Sequence, residues 1–362
     1  VSESIIATLL VFMKNNILLV LLSLFFSFGL MADDSTDDST KEETKDESRE
    51  ESKKDDRELI SEFVEEFITY EGLLKSYQDP ENGNTYIELS DEDISKEFIY
   101  FAHIINGTVE AGLFKGSHID QAVIKFEKQF NSLNLVRVNT EYYFDPDSEL
   151  SRQSQSNISD SVIENFEITH KNEDENTYLI DITKLLKSDN LTKLKSEPRD
   201  YDSDSFGVGS LSRSKTAISK IYNYPNNTDF EVDYVFSNPA SYESLRNTSV
   251  KLRYTFLEMP QDNGFEIRFE DPRIGYFTDR VTDLSSIEIT PYRDLVQKWN
   301  LQKQNPDATK SKPIKPIKFW LENTTPIELR PLIKNAVLAW NIAFEKAGFI
   351  DAIEVDIQPD DA

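Results

Sequence analysis

The chain of 362 residues is 38% hydrophobic, with 23 Phe, 15 Tyr and 3 Trp, which is long enough for two domains and ample for real cores. Its 66 acidic residues against 39 basic ones give a net charge of -27, which repels phosphate backbones and anionic lipid headgroups and excludes nucleic acid as an expected partner. The absence of cysteine excludes disulfides, thiolate metal sites, a cysteine nucleophile and a lipidated N-terminal cysteine, so any bound metal has to be held by His, Asp or Glu.

Residues 1–32 read as a signal peptide, with an uncleaved N-terminal anchor as the alternative. Lys14 gives a short positive region, Ile17 to Phe28 an apolar core, and Ser27-Phe28-Gly29 or Leu30-Met31-Ala32 a small-residue cleavage site. The chain opens on Val1, and Met13 is a better-placed start for such a signal. The apolar core is shorter than the ~20 residues that span a bilayer, so the expectation is export, to the periplasm, the outer surface or the medium. Stable membrane association is expected only if the segment stays uncleaved. Residues 33–57 are nearly all Asp, Glu, Ser, Thr and Lys, with nothing to bury, and read as an acidic disordered linker.

The stretch 58–311 is expected to be a β-rich region. Ile60, Phe63, Val64, Phe67 and Ile68 recur at helical spacing and predict a short amphipathic helix over Glu58 to Tyr70. Then the period changes. Thr85 to Leu89, Glu97 to Ile105, Ala122 to Phe126, Leu133 to Asn139, Phe166 to Thr169 and Tyr178 to Ile182 are short β-branched or aromatic runs separated by turn residues such as Asp79, Pro80 and Gly83. His103 and His118 fall among these runs, but two histidines without a carboxylate at fixed spacing read as structural rather than metal-ligating, and His170 has no evident partner. Asp200, Asp202 and Asp204 match the first acidic spacing of a calcium loop, yet Ser205 stands where the turn needs Gly and Leu211 where Glu should close the cage, so an acidic surface loop is expected.

Phe230 to Phe236 and Ser249 to Met259 predict the clearest strands. Val250, Leu252, Tyr254 and Phe256 face one way and Lys251, Arg253 and Thr255 the other, which argues for a largely antiparallel sheet with one wet face. Phe265 to Phe269 predicts another strand. The segment Asp271-Pro272-Arg273-Ile274-Gly275-Tyr276-Phe277 predicts a tight turn, Tyr292 to Leu301 a short helix, and the polar, Lys-rich stretch Gln302 to Pro316 a linker.

Residues 312–362 then predict strand, helix, strand. Pro316 to Leu321 is apolar and aromatic, and Glu322 to Pro326 breaks it. Thr325 with Glu328 can form a capping box with Pro326 at the first helical position, while Pro331 allows a later start. Leu332, Ile333, Ala336, Val337, Trp340, Ala343, Phe344 and Ala347 form one apolar stripe, Gly348 supplies a left-handed stop, and Ile350 to Ile357 resumes as a strand.

The run KPIKFWLENTTPIELRPLIKNAVLAWNIAFEKAGFIDAIEV resembles the opening of the catalytic domain in a family of large bacterial secreted zinc-dependent metalloproteases related to the metzincins. VIKFEKQFNSLNLVRVNTEYYF, TYLIDITKLLKSD, SRSKTAISKIYNYPNNTDFEVDYVF, RFEDPRIGYFTDRVTDLS and LVQKWNLQKQNPDA look like the uncharacterised domains that precede the protease domain there. The resemblance runs from about Glu71 to Ala362, and DPRIGYF and AWNIAFEKAGF are its most specific parts. It implies an α+β chain: a β-rich, largely antiparallel N-terminal region followed by the truncated strand-helix-strand start of a metzincin-like protease domain. It also implies zinc in the full-length protein, held by an HExxH helix with a further ligand downstream, and a protein or peptide substrate cleaved by metal-activated water.

None of His103, His118 and His170 has another histidine four positions away, so the chain reads as cut off before its active site. No catalytic, cofactor-binding or metal-ligating residue is assigned within it, and no cofactor is expected in it. The resemblance further implies that Trp340 and Phe344 anchor the layer on which a zinc-binding helix packs. In some related proteases an upstream carboxylate ligates the zinc and keeps the enzyme latent, and Asp271 is the candidate for that role here. The other reading of the same residues is a non-enzymatic, exported β-rich binding or surface module.

Overall fold

A computed structural model describes residues 59–360 except 146, 155–157, 173, 195–206, 240–245 and 262. The leader 1–32, the acidic stretch 33–57 and the triplet Asp200, Asp202 and Asp204 lie outside the described residues.

The first predicted helix is a single turn, α1 (Ile60–Phe63), and Ile68–Tyr70 is instead a strand, β1. Leu59 offers no side-chain cap to hold a longer helix, and aromatic packing takes over. Phe63 and Phe67 pack edge-on and tilted against Tyr86, and this cluster fixes where the chain turns.

The strands that follow are β2 (Ser76–Gln78), β3 (Thr85–Ser90), β4 (Glu97–Asn106), β5 (His118–Gln129), β6 (Ser132–Arg137), β7 (Tyr142–Tyr143), β8 (Ser161–Asn172) and β9 (Thr177–Asp181). After the one-turn helix α2 (Thr183–Leu186) come β10 (Ser210–Leu211), β11 (Ala217–Tyr224), β12 (Asn227–Ser237) and β13 (Asn247–Glu258). Among the described residues, twelve of these strands form one sheet in the order β1-β2-β3-β9-β8-β6-β5-β4-β13-β12-β10, with β11 also on β12. Every ladder in it is antiparallel. The two ends of the sheet meet: Leu73 N–H donates to Tyr224 O (2.8 Å), and the Asn223 amide donates to the carbonyls of Tyr70 and Leu74.

Period-two alternation puts one face of this sheet into a single core. Phe98, Tyr100, Ala102 and Ile104 of β4, Phe230, Val232, Tyr234 and Phe236 of β12, and Val250, Leu252, Tyr254 and Phe256 of β13 are all buried. Each large side chain there contributes about 1.5–3 kcal/mol relative to staying exposed. The strap after β9 fills the remaining space with Leu185, Leu186, Leu191 and Leu194. Its polar backbone is satisfied from inside the core: the Tyr234 hydroxyl lies 2.6 Å from Leu186 O and 3.0 Å from Ser188 O, and the Tyr254 hydroxyl lies 2.7 Å from that of Tyr234. Tyr100 bonds Thr192 in the same way. The wet face of β13 is less wet than the alternation predicts, because Thr255 is buried and Lys251 and Arg253 are half-buried.

A second sheet has the order β15-β14-β7, built from β14 (Thr278–Asp283), β15 (Tyr292–Val296) and β7. Tyr292 to Leu301, predicted as a helix, is this strand followed by extended chain. The reason is cross-strand pairing: Arg280 bonds Asp294 (2.8 Å), Arg293 pairs with Asp283, and both guanidinium groups lie over aromatic rings. Phe265 to Phe269 is not a full strand either. Only Phe269 makes a bridge, to Leu295, and Ile267 is exposed.

The last unit is β16 (Ile317–Leu321), α3 (Arg330–Leu338), α4 (Asn341–Lys346) and β17 (Ile353–Ile357), with β16 and β17 parallel. The stretch read as a linker folds into a loop bonded to this unit, through Ser311 N–H to Gly348 O and Ile350 N–H to Ser311 O. The helix starts at Arg330 with Pro331 in its first turn, and the Thr325 capping box does not form; Pro326 to Leu329 is a separate turn. The single long helix is also broken, because Trp340 N–H bonds Val337 three residues back and tightens the chain. Gly348, at φ +96°, ends α4 as the sequence requires.

Candidate functional site

The polar face of the large sheet carries the densest arrangement of titratable groups outside the surface loops. Strand register lines up Lys220 of β11, Glu231 of β12, Arg253 of β13, His103 of β4 and His118 of β5 as successive cross-strand neighbours. Alternation turns Asp229, Glu231 and Asp233 of β12 to the same face, opposite Lys251 and Arg253. The Arg253 guanidinium pairs with the buried Glu231 carboxylate, lies 4.0 Å from Asp229 and covers the Tyr222 ring at 5.1 Å. The His103 ring is half-buried and lies 6.0 Å from Phe101 in a stacked arrangement, and its Nδ1 and the Nε of Arg253 are buried without a hydrogen-bond partner. Burial, reinforced by the Arg253 charge, holds the His103 pKa below its ordinary value. The arrangement therefore presents a neutral imidazole beside a guanidinium–carboxylate pair.

As a zinc centre these residues do not fit. The register brings His103 and His118 opposite one another, but among the described residues no group of three or more His, Cys, Asp or Glu could hold a metal ion. His170 lies elsewhere, with its ring stacked on Phe63 at 4.0 Å. Asp271 is at the surface of its turn. Arg273 takes the carboxylate with its guanidinium (2.8 Å from Nε) and its backbone N–H (3.0 Å), and this bonding holds the Asp271 carboxyl below the usual carboxylate range. Beside it Phe269, Glu270, Pro272, Tyr292, Arg293 and Asp294 line an open cleft of about 370 Å³.

Sequence reasoning missed Asp229, Glu231, Arg253 and Tyr222 as a group. Alternating acids in β12 and bases in β13 were the available signal, but only the register shows that they meet. Of the two aromatic anchors expected in the terminal unit, Phe344 packs against its small core, whereas Trp340 is 65% exposed. Trp340 fails as an anchor here because the helix break at Ala339 and Trp340 turns its side chain away from β16 and β17.

No helix among the described residues is long and apolar enough to cross a membrane. A family model described as a domain of unknown function (DUF5117) matches residues 116–304, just over half of the chain, from the turn before β5 to the end of the extended chain after β15. No curated protein and no solved structure matches.

Proposed function

The chain belongs to the DUF5117 family, and on that premise we propose that it is the N-terminal, non-catalytic part of an exported zinc-dependent metalloprotease whose HExxH site lies beyond Ala362. The observation that carries this reading is the terminal unit. It is a parallel strand pair with a helical crossover, as the resemblance of residues 315–355 implies, and it is energetically unfinished. Only Ile317, Ile353 and Val355 are fully buried in its core, worth about 1.5–3 kcal/mol each, which is too little to order a unit of this length on its own. Meanwhile Trp320, Leu332, Trp340 and Ile342 are each more than half exposed. A catalytic body packed on this face would cover them. In that arrangement zinc would polarise the scissile carbonyl and activate a water, and the residues of this chain would support the site without taking a chemical step. The apolar leader ahead of Asp33 supports export.

The test is the rest of the reading frame. Continuation past Ala362 for about one domain length of 100–150 residues, carrying HExxH, is the expected result, with peptidase activity of the whole protein abolished by a chelator. A stop close to Ala362, or a continuation without paired histidines, rejects the reading and leaves an exported β-rich binding or surface module.

A further inference from the structure

The two edges of the β16–β17 pair are unlike. At the outer edge of β17 the side-chain amide of Asn341 accepts from the Ile353 N–H (2.9 Å) and donates to the Ile353 carbonyl (3.0 Å), filling the place a neighbouring strand's backbone would take. Along β16 the parallel ladder uses alternate residues: Ile317 donates to Ala352 and Leu321 accepts from Gln358. The backbone groups of Lys318 and Trp320 therefore point away from β17, and no other described segment bonds to them. The side chains agree. Val337, Leu338 and Phe344 cover Ile317, Ile353 and Val355, yet Phe319, on the same face as Ile317, is 42% exposed, and Trp320 on the opposite face is 55% exposed.

We propose that β16 is an interior strand of a larger sheet, and that a further extended strand of the same polypeptide, outside the described residues, adds along its Lys318–Trp320 edge. The backbone geometry specifies a strand rather than a helix. The source follows from stability: two parallel strands over so small a core do not stand alone, so the cover has to be present whenever the unit is folded, which a transient partner does not guarantee. An open edge bearing Phe319 and Trp320 would also invite aggregation. The proposal rests on the reading that more polypeptide follows.

The experiment is hydrogen exchange on the full reading frame and on residues 1–362, read at the Lys318 and Trp320 amides. Exchange about 100-fold slower in the longer protein is expected. Equal rates in the two overturn the proposal, as does protection that appears only when a different protein is added. Trp320→Pro removes only the donor that points away from β17, so it should lower the melting temperature of the longer protein by several degrees and that of residues 1–362 much less. Equal shifts overturn it. A longer protein lacking paired histidines but protecting these amides rejects the metalloprotease reading alone, whereas HExxH with unprotected amides rejects this proposal alone.

Discussion

His103 is the residue whose chemistry depends most on its neighbours. Burial and then Arg253 push its pKa down, His118 adds to that, and Asp229 and Glu231 act the other way. The folded state thus holds a neutral ring, while the unfolded chain takes up a proton near the ordinary value of 6.5. The sign follows: the folded state keeps its full stability above that value and loses part of it as the pH falls toward the folded pKa. His103→Gln should flatten the dependence of melting temperature on pH between about 7.5 and 5, relative to the unchanged protein. Glu231 is the second sensitive position, because its buried carboxylate is the close partner of a guanidinium whose Nε is already unsatisfied. Glu231→Gln should cost about 1–3 kcal/mol, read as a lower denaturant midpoint with an unchanged slope. Both residues could be picked out of the sequence as charges in alternating strands. Their contact could not, since it depends on which residue of β12 faces which residue of β13.

At the level of elements, the strap after β9 shows how a core is completed by a segment with little regular structure. Its leucines supply the apolar fill, and Tyr234 satisfies the carbonyls of Leu186 and Ser188 in a place water does not reach. Burial pushes the Tyr234 and Tyr254 hydroxyls well above their ordinary range, so both remain protonated donors. Tyr234→Phe should destabilise by about 1–3 kcal/mol by stranding those carbonyls, and amide exchange over residues 185–194 should accelerate more than exchange in β4. The strands of the large sheet were legible because a half-buried strand writes a period of two into the chain. Tyr292 to Leu301 misled because its apolar positions also suit a helix, and the partner that decides the matter, β14, is separated from it in sequence.

For the whole molecule, the charge of -27 and the lack of cysteine set the surroundings in which it works, and the sheet sets its shape. Residues 1–362 purified alone should carry well under one zinc per chain by elemental analysis, because His103 and His118 have no third ligand beside them. Zinc retained at one per chain through dialysis, and lost on His103→Ala, would instead assign a metal to the sheet face.

The amino-acid sequence determined by itself the export leader and acidic stretch as expectations, the antiparallel β character, the strand pattern from β3 to β13 and the glycine stop of the last helix, because each is written locally in spacing, burial alternation or a single backbone preference. The tertiary structure alone decided the meeting of the sheet's two ends, the pairing of β15 with β14, the break at Trp340 and the grouping of His103 with Arg253 and Glu231. These depend on contacts between residues far apart in the chain, where strand register and packing outweigh any preference that a local stretch expresses.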